Sequence, residues 1–280
     1  CVEPRRVSVG RGRLPPGSKG SVLNDVLLHF RDLLAAMPPW FLPLNLTLLG
    51  AVWGSFIAAL CSRWPNGESI GAGRSRCDHC ATNIAAYDLI PIVSFILLKG
   101  KCRACGRKIG ALPLIFEVTA ILVGTFPILF LPPIQAIGAA VFGWLLLPLL
   151  FLDWRHFWLP DRLLILLAIA GPLAGLLLNP SVTWFDRGVG MVAGFASLEA
   201  IRVGFKRWRG YEGMGAGDPK LFGALGIWVG WQALPMILLG ASAIGLVLIL
   251  VTRTTRTQSP NLLPFGSYLC GAAYLFSTVA

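Results

Sequence analysis

The chain changes character near residue 40. Before that point Arg, Gly and Pro recur without a sustained period, as in Arg11-Gly12-Arg13-Leu14-Pro15-Pro16-Gly17. The stretch 1–38 is expected to be a basic tail without packed structure. Beyond it, long apolar runs alternate with short polar connections, and about 20 apolar residues suffice to cross a bilayer core. Eight helical spans are expected, near 41–61, 111–131, 134–152, 162–178, 187–204, 219–232, 234–252 and 262–280, the sixth of them short. The expected fold is all-α and multi-pass, with about eight transmembrane helices and one substantial polar loop, 62–110, between the first two. Four regions follow: the tail 1–38, a first-span and loop region 41–132, a transmembrane core 133–252 and a last helix within 253–280.

Composition agrees with that pattern. Of 280 residues, 55% are hydrophobic and 13% charged, whereas a soluble domain carries about 25% charged residues. Mean hydropathy is +0.70. A net charge of +11 would suggest nucleic acid in a soluble chain, but in a membrane protein basic residues collect in cytoplasmic loops. The connections after spans one, three, five and seven hold 17 of the 24 Lys and Arg, and the opposite-face connections hold only Arg187. The odd-numbered connections are therefore expected in the cytoplasm, with membrane lipid as the surrounding partner and no role for nucleic acid. The six basic residues of the tail run against this arrangement.

The polar loop carries Cys77-Asp78-His79-Cys80 and Cys102-Arg103-Ala104-Cys105. Two thiolates spaced by two residues can reach one tetrahedral metal, and a second pair closes the shell. Flanking basic residues favour the thiolates. The 21 intervening residues slightly exceed the usual zinc-ribbon spacing, and their apolar part, 84–98, is too short to span. A closed four-cysteine site leaves no open position for substrate, so Cys77, Cys80, Cys102 and Cys105 are expected to hold a structural zinc. His79 is expected to face solvent. Cys61 and Cys270, lying in apolar runs, are read as small apolar fillers.

Only 13 acids occur in the chain, and an acid within or bordering an apolar span is a functional candidate. Asp153 closes the third span. Asp218 follows the glycine-rich Gly213-Met214-Gly215-Ala216-Gly217 and precedes Pro219, a residue suited to a helix first turn, so Asp218 could equally be a helix N-cap. Spans four and five return the chain to the same face, which lets Asp153 and Asp218 meet. Two facing carboxylates in a poorly solvated cleft share a proton. One can then deprotonate water while the other polarises a carbonyl, which suffices for peptide hydrolysis. Asp161, after Pro160, reads better as a cap. Asp186 falls on the far face, and Glu117 and Glu199 lie inside spans where they could pair with buried polar groups or line the site.

At this point the residues resemble the bacterial type IV prepilin peptidases, bifunctional leader peptidases and N-methyltransferases. The similarity covers roughly residues 45–275. Gly54-Ser55-Phe56 with Arg63 and Pro65 resembles the first-span signature, 75–80 and 100–106 resemble the zinc knuckles, and Pro113 to Glu117 resembles the entry to span two. Asp153 through Asp161 resembles the first catalytic segment, and Gly215-Ala216-Gly217-Asp218-Pro219-Lys220-Leu221 resembles the G-x-G-D-x-K-L signature. The resemblance implies an aspartic endopeptidase of the bacterial inner membrane, with Asp153 and Asp218 catalytic on the cytoplasmic side. It marks Gly215, Gly217, Lys220 and Glu117 as site-shaping. It implies cleavage of leaders from type IV prepilin or pseudopilin precursors, in pilus assembly or type II secretion. It also implies methylation of the new amino terminus with S-adenosylmethionine. Pro219 within the signature is a departure, and no glycine-rich dinucleotide-type motif is present to bind the methyl donor. The alternative is a proton- or ion-coupled transporter that uses these acids as ion sites, with the zinc knuckle structural; the absence of an inverted repeat argues against it.

Overall fold

The computed structural model describes residues 22–68, 76–77, 79–211, 213–254 and 263–279. The chain divides into two units, 1–37 and 38–280. The described part of the first unit is helix α1, Val22–Ala36, which lies inside the stretch expected to lack structure. Val22, Val26, Phe30 and Leu33, with Leu23, Leu27 and Leu34, supply a 3.6-residue apolar repeat. The Arg- and Gly-rich composition ahead of it had masked that repeat. The rest of the expected basic tail, 1–21, lies outside the described residues.

The second unit holds α2 Phe41–Arg63, α3 Val93–Leu97, α4 Leu112–Thr125, α5 Pro133–His156, α6 Asp161–Leu178, α7 Trp184–Arg209, α8 Gly217–Val229, α9 Leu234–Thr254 and α10 Phe265–Val279. The eight expected spans are α2 and α4 to α10. Length separates them: six are long and apolar enough to cross a membrane, α2 and α4 with their following 3-10 turns, α5, α6, α7 and α9. Helix α8 has 13 residues and α10 has 15 described residues, and 13 residues of helix rise only about 20 Å against a hydrocarbon core of about 30 Å. The count of eight therefore does not follow from length. Helix α8 is enclosed by protein: Asp218, Pro219 and every residue from Leu221 to Val229 are buried, and Lys220 alone of this stretch is exposed.

Small residues set the packing. Without a hydrophobic drive between helices inside lipid, close backbone approach is the main source of contact energy. Gly50 and Gly54 of α2 lie on the backbone of α4, where a Cβ at Gly54 would be 2.5 Å from Phe116 O. Gly190 and Gly194 of α7 do the same to α8 at Gly226 and Phe222. Tryptophans tie the layers by donating to backbone carbonyls: Trp144 to Ala120 O (2.8 Å), Trp53 to Trp144 O (3.1 Å) and Trp228 to Leu167 O (2.9 Å).

Arg187 fastens the end of α8 away from Asp218. Its guanidinium is 2% exposed and donates to Ile227 O (2.8 Å), Trp228 O (3.0 Å), Gly175 O (3.0 Å) and Asn179 O (2.6 Å). These carbonyls close α6 and α8, the ends where a cation is favoured by the helix dipole. Beside it, Asp186 accepts from Thr183 Oγ1 (2.7 Å), Trp231 Nε1 (2.9 Å) and Gln232 Nε2 (3.1 Å). The far-face acid is thus a clasp between two connections.

Candidate functional site

Asp153 occupies the last turn of α5 and Asp218 the first turn of α8, 6% and 4% exposed. Helix α8 begins at Gly217, so Asp218 is inside the first turn and is not the N-cap, a position taken by Ala216. The two carboxylates meet over Gly266 of α10. The position a Cβ would take on Gly266 lies 3.0 Å from Asp218 Oδ1 and 3.1 Å from Asp153 Oδ2. Asp153 Oδ2 accepts from the backbone N–H of Ser267 (2.7 Å) and lies 3.0 Å from its hydroxyl, which is also 2.8 Å from Leu150 O. An anionic carboxylate against the first turn of α10 is in its favoured electrostatic place. The site is therefore built from three helices, α5, α8 and α10. Residues 153, 218 and 266 come together only through tertiary packing.

Leu159, in the connection after α5, closes the site on the apolar side. Gly217 leaves room for it, since a Cβ there would be 2.7 Å from Leu159 Cβ. Gly215 lies beside the other Asp218 oxygen, its Cβ position 3.4 Å from Oδ2. Lys220 turns away and pairs with Asp161 at 2.6 Å, both side chains exposed. Asp161 is thereby an ion-pair partner; the expected capping bond is absent, the N-cap being Pro160 with no side-chain cap. Glu117 is elsewhere. Buried in α4, it accepts the Ile92 N–H at 2.7 Å and so docks the segment before α3 onto the span. Ile92 takes φ +59 and ψ −51, a positive-φ conformation rare for a β-branched residue. Glu199 pairs with Arg202 along α7 at 2.6 Å.

The cysteine arm, running from residue 64 to 111, carries the second candidate site; Asp78 and residues 69–75 of it lie outside the described residues. Its four sulfurs lie within 4.8 Å of one another. Cys77 and Cys105 are 3.9 Å apart and Cys80 and Cys102 4.0 Å. Tetrahedral Zn–S bonds of about 2.3 Å set sulfurs about 3.8 Å apart, whereas a disulfide requires about 2.05 Å. The geometry fits a metal ion. The two knuckles are built alike. Cys77 N donates to Thr82 O and Ala81 N to Cys77 O, as Cys102 N donates to Arg107 O and Gly106 N to Cys102 O. Each turn ends on a left-handed residue, Ala81 at φ +55 and Gly106 at φ +67. Hydrogen bonding with the side chain and backbone of Thr82 brings the Cys80 thiol down to about 6. The backbone amides of Cys105 and Ala104 lower Cys102. The Arg107 N–H favours the Cys105 thiolate, yet burial and the neighbouring thiols push it up to about 11. Four sulfurs so placed need a cation to ionise together. His79 is exposed, as expected.

Sequence reasoning missed Gly266, Ser267, Leu159 and Ile92. The single signal for the first was a glycine in the opening turn of an apolar helix.

Fold and site together define a multi-pass membrane protein with a buried pair of aspartates at one end of its helices and a four-cysteine metal site in an arm. The bacterial peptidase A24 N-terminal domain matches residues 48–130, and the type IV leader peptidase family matches 140–250. The chain is 37% identical over 206 residues to a prepilin leader peptidase/N-methyltransferase of Aeromonas hydrophila, covering 72% of this chain and 70% of that one. Proteins of the same description from Dichelobacter nodosus (39% over 202 residues, 72% and 69%) and Burkholderia pseudomallei strain K96243 (35% over 271 residues, 86% and 87%) are similar. No solved structure matches the chain. The chain belongs to the type IV leader peptidase family, and the transporter alternative has no support.

Proposed function

We propose that this protein removes the leader from type IV prepilin or pseudopilin precursors in the bacterial inner membrane and methylates the amino terminus so released. The observation that carries the peptidase is the approach of Asp153 Oδ2 and Asp218 Oδ1 to one point over Gly266. Hydrolysis needs no other group. An ionised aspartate takes a proton from water, whose oxygen bonds to the scissile carbonyl carbon, while the protonated partner gives its proton to the carbonyl oxygen. Collapse breaks the C–N bond and a proton returns to the leaving amine. Asp153, held by Ser267, is the natural base, and Asp218 the natural acid.

The collection of basic residues in the connections on that side supports placing this chemistry at the cytoplasmic face. Cys77, Cys80, Cys102 and Cys105 would hold zinc in a closed shell that fixes the arm and binds no substrate. Gly215 and Gly217 shape the site by leaving room around Asp218 and Leu159, Lys220 fixes the start of α8 through Asp161, and Glu117 positions the arm. S-adenosylmethionine would supply the methyl group, and we assign the transfer to the region 41–132. The apolar cavity of about 590 Å³ among Pro43, Leu122, Phe126, Leu129 and Tyr274 does not suit a sulfonium donor.

The test is cleavage of a pilin-like precursor in membranes by the wild type, Asp153→Asn and Asp218→Asn. Cleavage by the wild type alone is expected; cleavage persisting in both variants would exclude the aspartyl mechanism. Mass spectrometry of the intact protein should find one zinc, lost in Cys77→Ser.

A further inference from the structure

Gly266 stands in the first turn of α10, and glycine is a poorer helix former than alanine. The backbone gives no reason for it, because the residue is helical and its φ is not positive. Close packing of helix backbones gives none either. Gly190 and Gly226 face each other's backbone, but the atoms facing Gly266 belong to side chains: Leu159 Cδ1, Asp218 Oδ1 and Asp153 Oδ2, at 2.9, 3.0 and 3.1 Å from the Cβ position. Ordinary contacts to carbon are about 3.5 Å or longer. The missing methyl group would press on both carboxylates at once.

We propose that Gly266 is a positioning residue of the peptidase, keeping open the space between Asp153 and Asp218 that the hydrolytic water occupies. The inference rests on the aspartates being the catalytic pair. Without a side chain at 266, one oxygen of each carboxylate lies close to the bare Cα, where a methyl group would press on both, and a water held by the two oxygens needs that room. Ser267 holds the Asp153 oxygen there through its N–H and hydroxyl, so the carboxylate cannot swing aside to admit a methyl group. Leu159 closes the apolar side and excludes bulk water. A side chain at 266 would displace the nucleophile and put nothing polar in its place.

The test is Gly266→Ala in the full-length protein, read by four measurements: kcat and KM for precursor cleavage, methylation of an already cleaved pilin-like peptide with S-adenosylmethionine, and the thermal midpoint. Loss of a placed reactant reaches about 100-fold in rate. We expect kcat to fall by that factor with KM, methylation and midpoint kept. The double variant Leu159→Ala/Gly266→Ala gives the added methyl group room on its apolar side. It keeps the chain folded if the single variant is unstable, and its cleavage should stay about 100-fold down. Wild-type cleavage by Gly266→Ala, or recovery of cleavage in the double variant, would overturn the proposal. Activity surviving in Asp153→Asn and Asp218→Asn would instead overturn the parent reading. Inactive aspartate variants beside an active Gly266→Ala remove this inference alone.

Discussion

The cysteine arm and the aspartate site are assembled by opposite means. In the arm, each pair of ligands belongs to one turn of six residues or so, closed by its own backbone hydrogen bonds, and the two copies differ mainly in Ala81 against Gly106. The aspartate site takes one residue from each of α5, α8 and α10, and no local turn brings them together. The arm is expected to depend on its metal, because its thiols do not ionise together without one. The aspartate site is expected to depend on how α8 is held along its whole length. Damage to one should leave the other largely working.

Among changes in helix packing, the largest effect on precursor cleavage is expected from a residue remote from the aspartates. Arg187→Met leaves the carbonyls of Gly175, Asn179, Ile227 and Trp228 without their donor. Stranding buried polar groups of this kind costs roughly 3–5 kcal/mol, and α8 loses its anchor opposite Asp218. The thermal midpoint should drop and cleavage fall by about 100-fold or more. Unchanged cleavage would mean that α8 is positioned from its Asp218 end alone. Next comes Gly226→Ala, whose methyl group would run into the backbone of Gly190. Overpacking of that kind costs about 1–3 kcal/mol, and differential scanning of the purified protein should show a lower midpoint with partial activity.

Cys77→Ser tests the comparison from the other side. It should abolish metal binding and open the arm to protease. Cleavage should stay within about threefold of wild type, since sites that share no partners act nearly independently. Methyl transfer should fall to background. Equal loss of both activities would show that the two regions are coupled, and the contact to examine would be Glu117 to Ile92, where the arm meets a span.

Legibility in the sequence follows the same division. The C-x-x-C pairs announced themselves because metal geometry is written in local spacing, and the four sulfurs lie as that spacing implied. The spans were legible because lipid imposes a long apolar run on any helix that faces it. That signal does not by itself separate the two cases for α8, where burial in protein gives the same composition as exposure to lipid. Asp153 and Asp218 stood out as acids in apolar surroundings, and span order put them on one face. Gly266 and Ser267 did not stand out, because Ser267 lies 114 residues from the carboxylate it binds and neither residue is unusual by type. Asp161, expected to be a cap, and Lys220, expected to shape the site, are each other's partners. Their charges were visible in the sequence, but their pairing depends on α6 and α8 packing side by side.

The smallest expected effect comes from the ion pair that stiffens the arm. Arg103, inside the second knuckle, gives a two-pronged contact to Asp88, Nη2 to Oδ1 at 2.7 Å and Nε to Oδ2 at 2.9 Å, and lies 5.3 Å from the centre of the Tyr87 ring. The guanidinium holds the Asp88 carboxyl below the usual carboxylate range. A group whose folded pKa is depressed contributes stability above its unfolded pKa and loses it as pH falls through the folded one. Asp88 is thus ionised throughout the range from about pH 5 to 8. Asp88 is largely covered, but its partner Arg103 is open to solvent, and pairs with such a partner are weak and screened by salt. Asp88→Asn should therefore speed proteolysis of the metal-loaded arm by only about twofold at low salt. The ratio to wild type should stay constant between about pH 5 and 8 and vanish near 1 M salt, with cleavage of the precursor untouched. A large or pH-dependent ratio would mean that Asp88 does more than brace Arg103, and that the arm relies on its charges as well as on its metal.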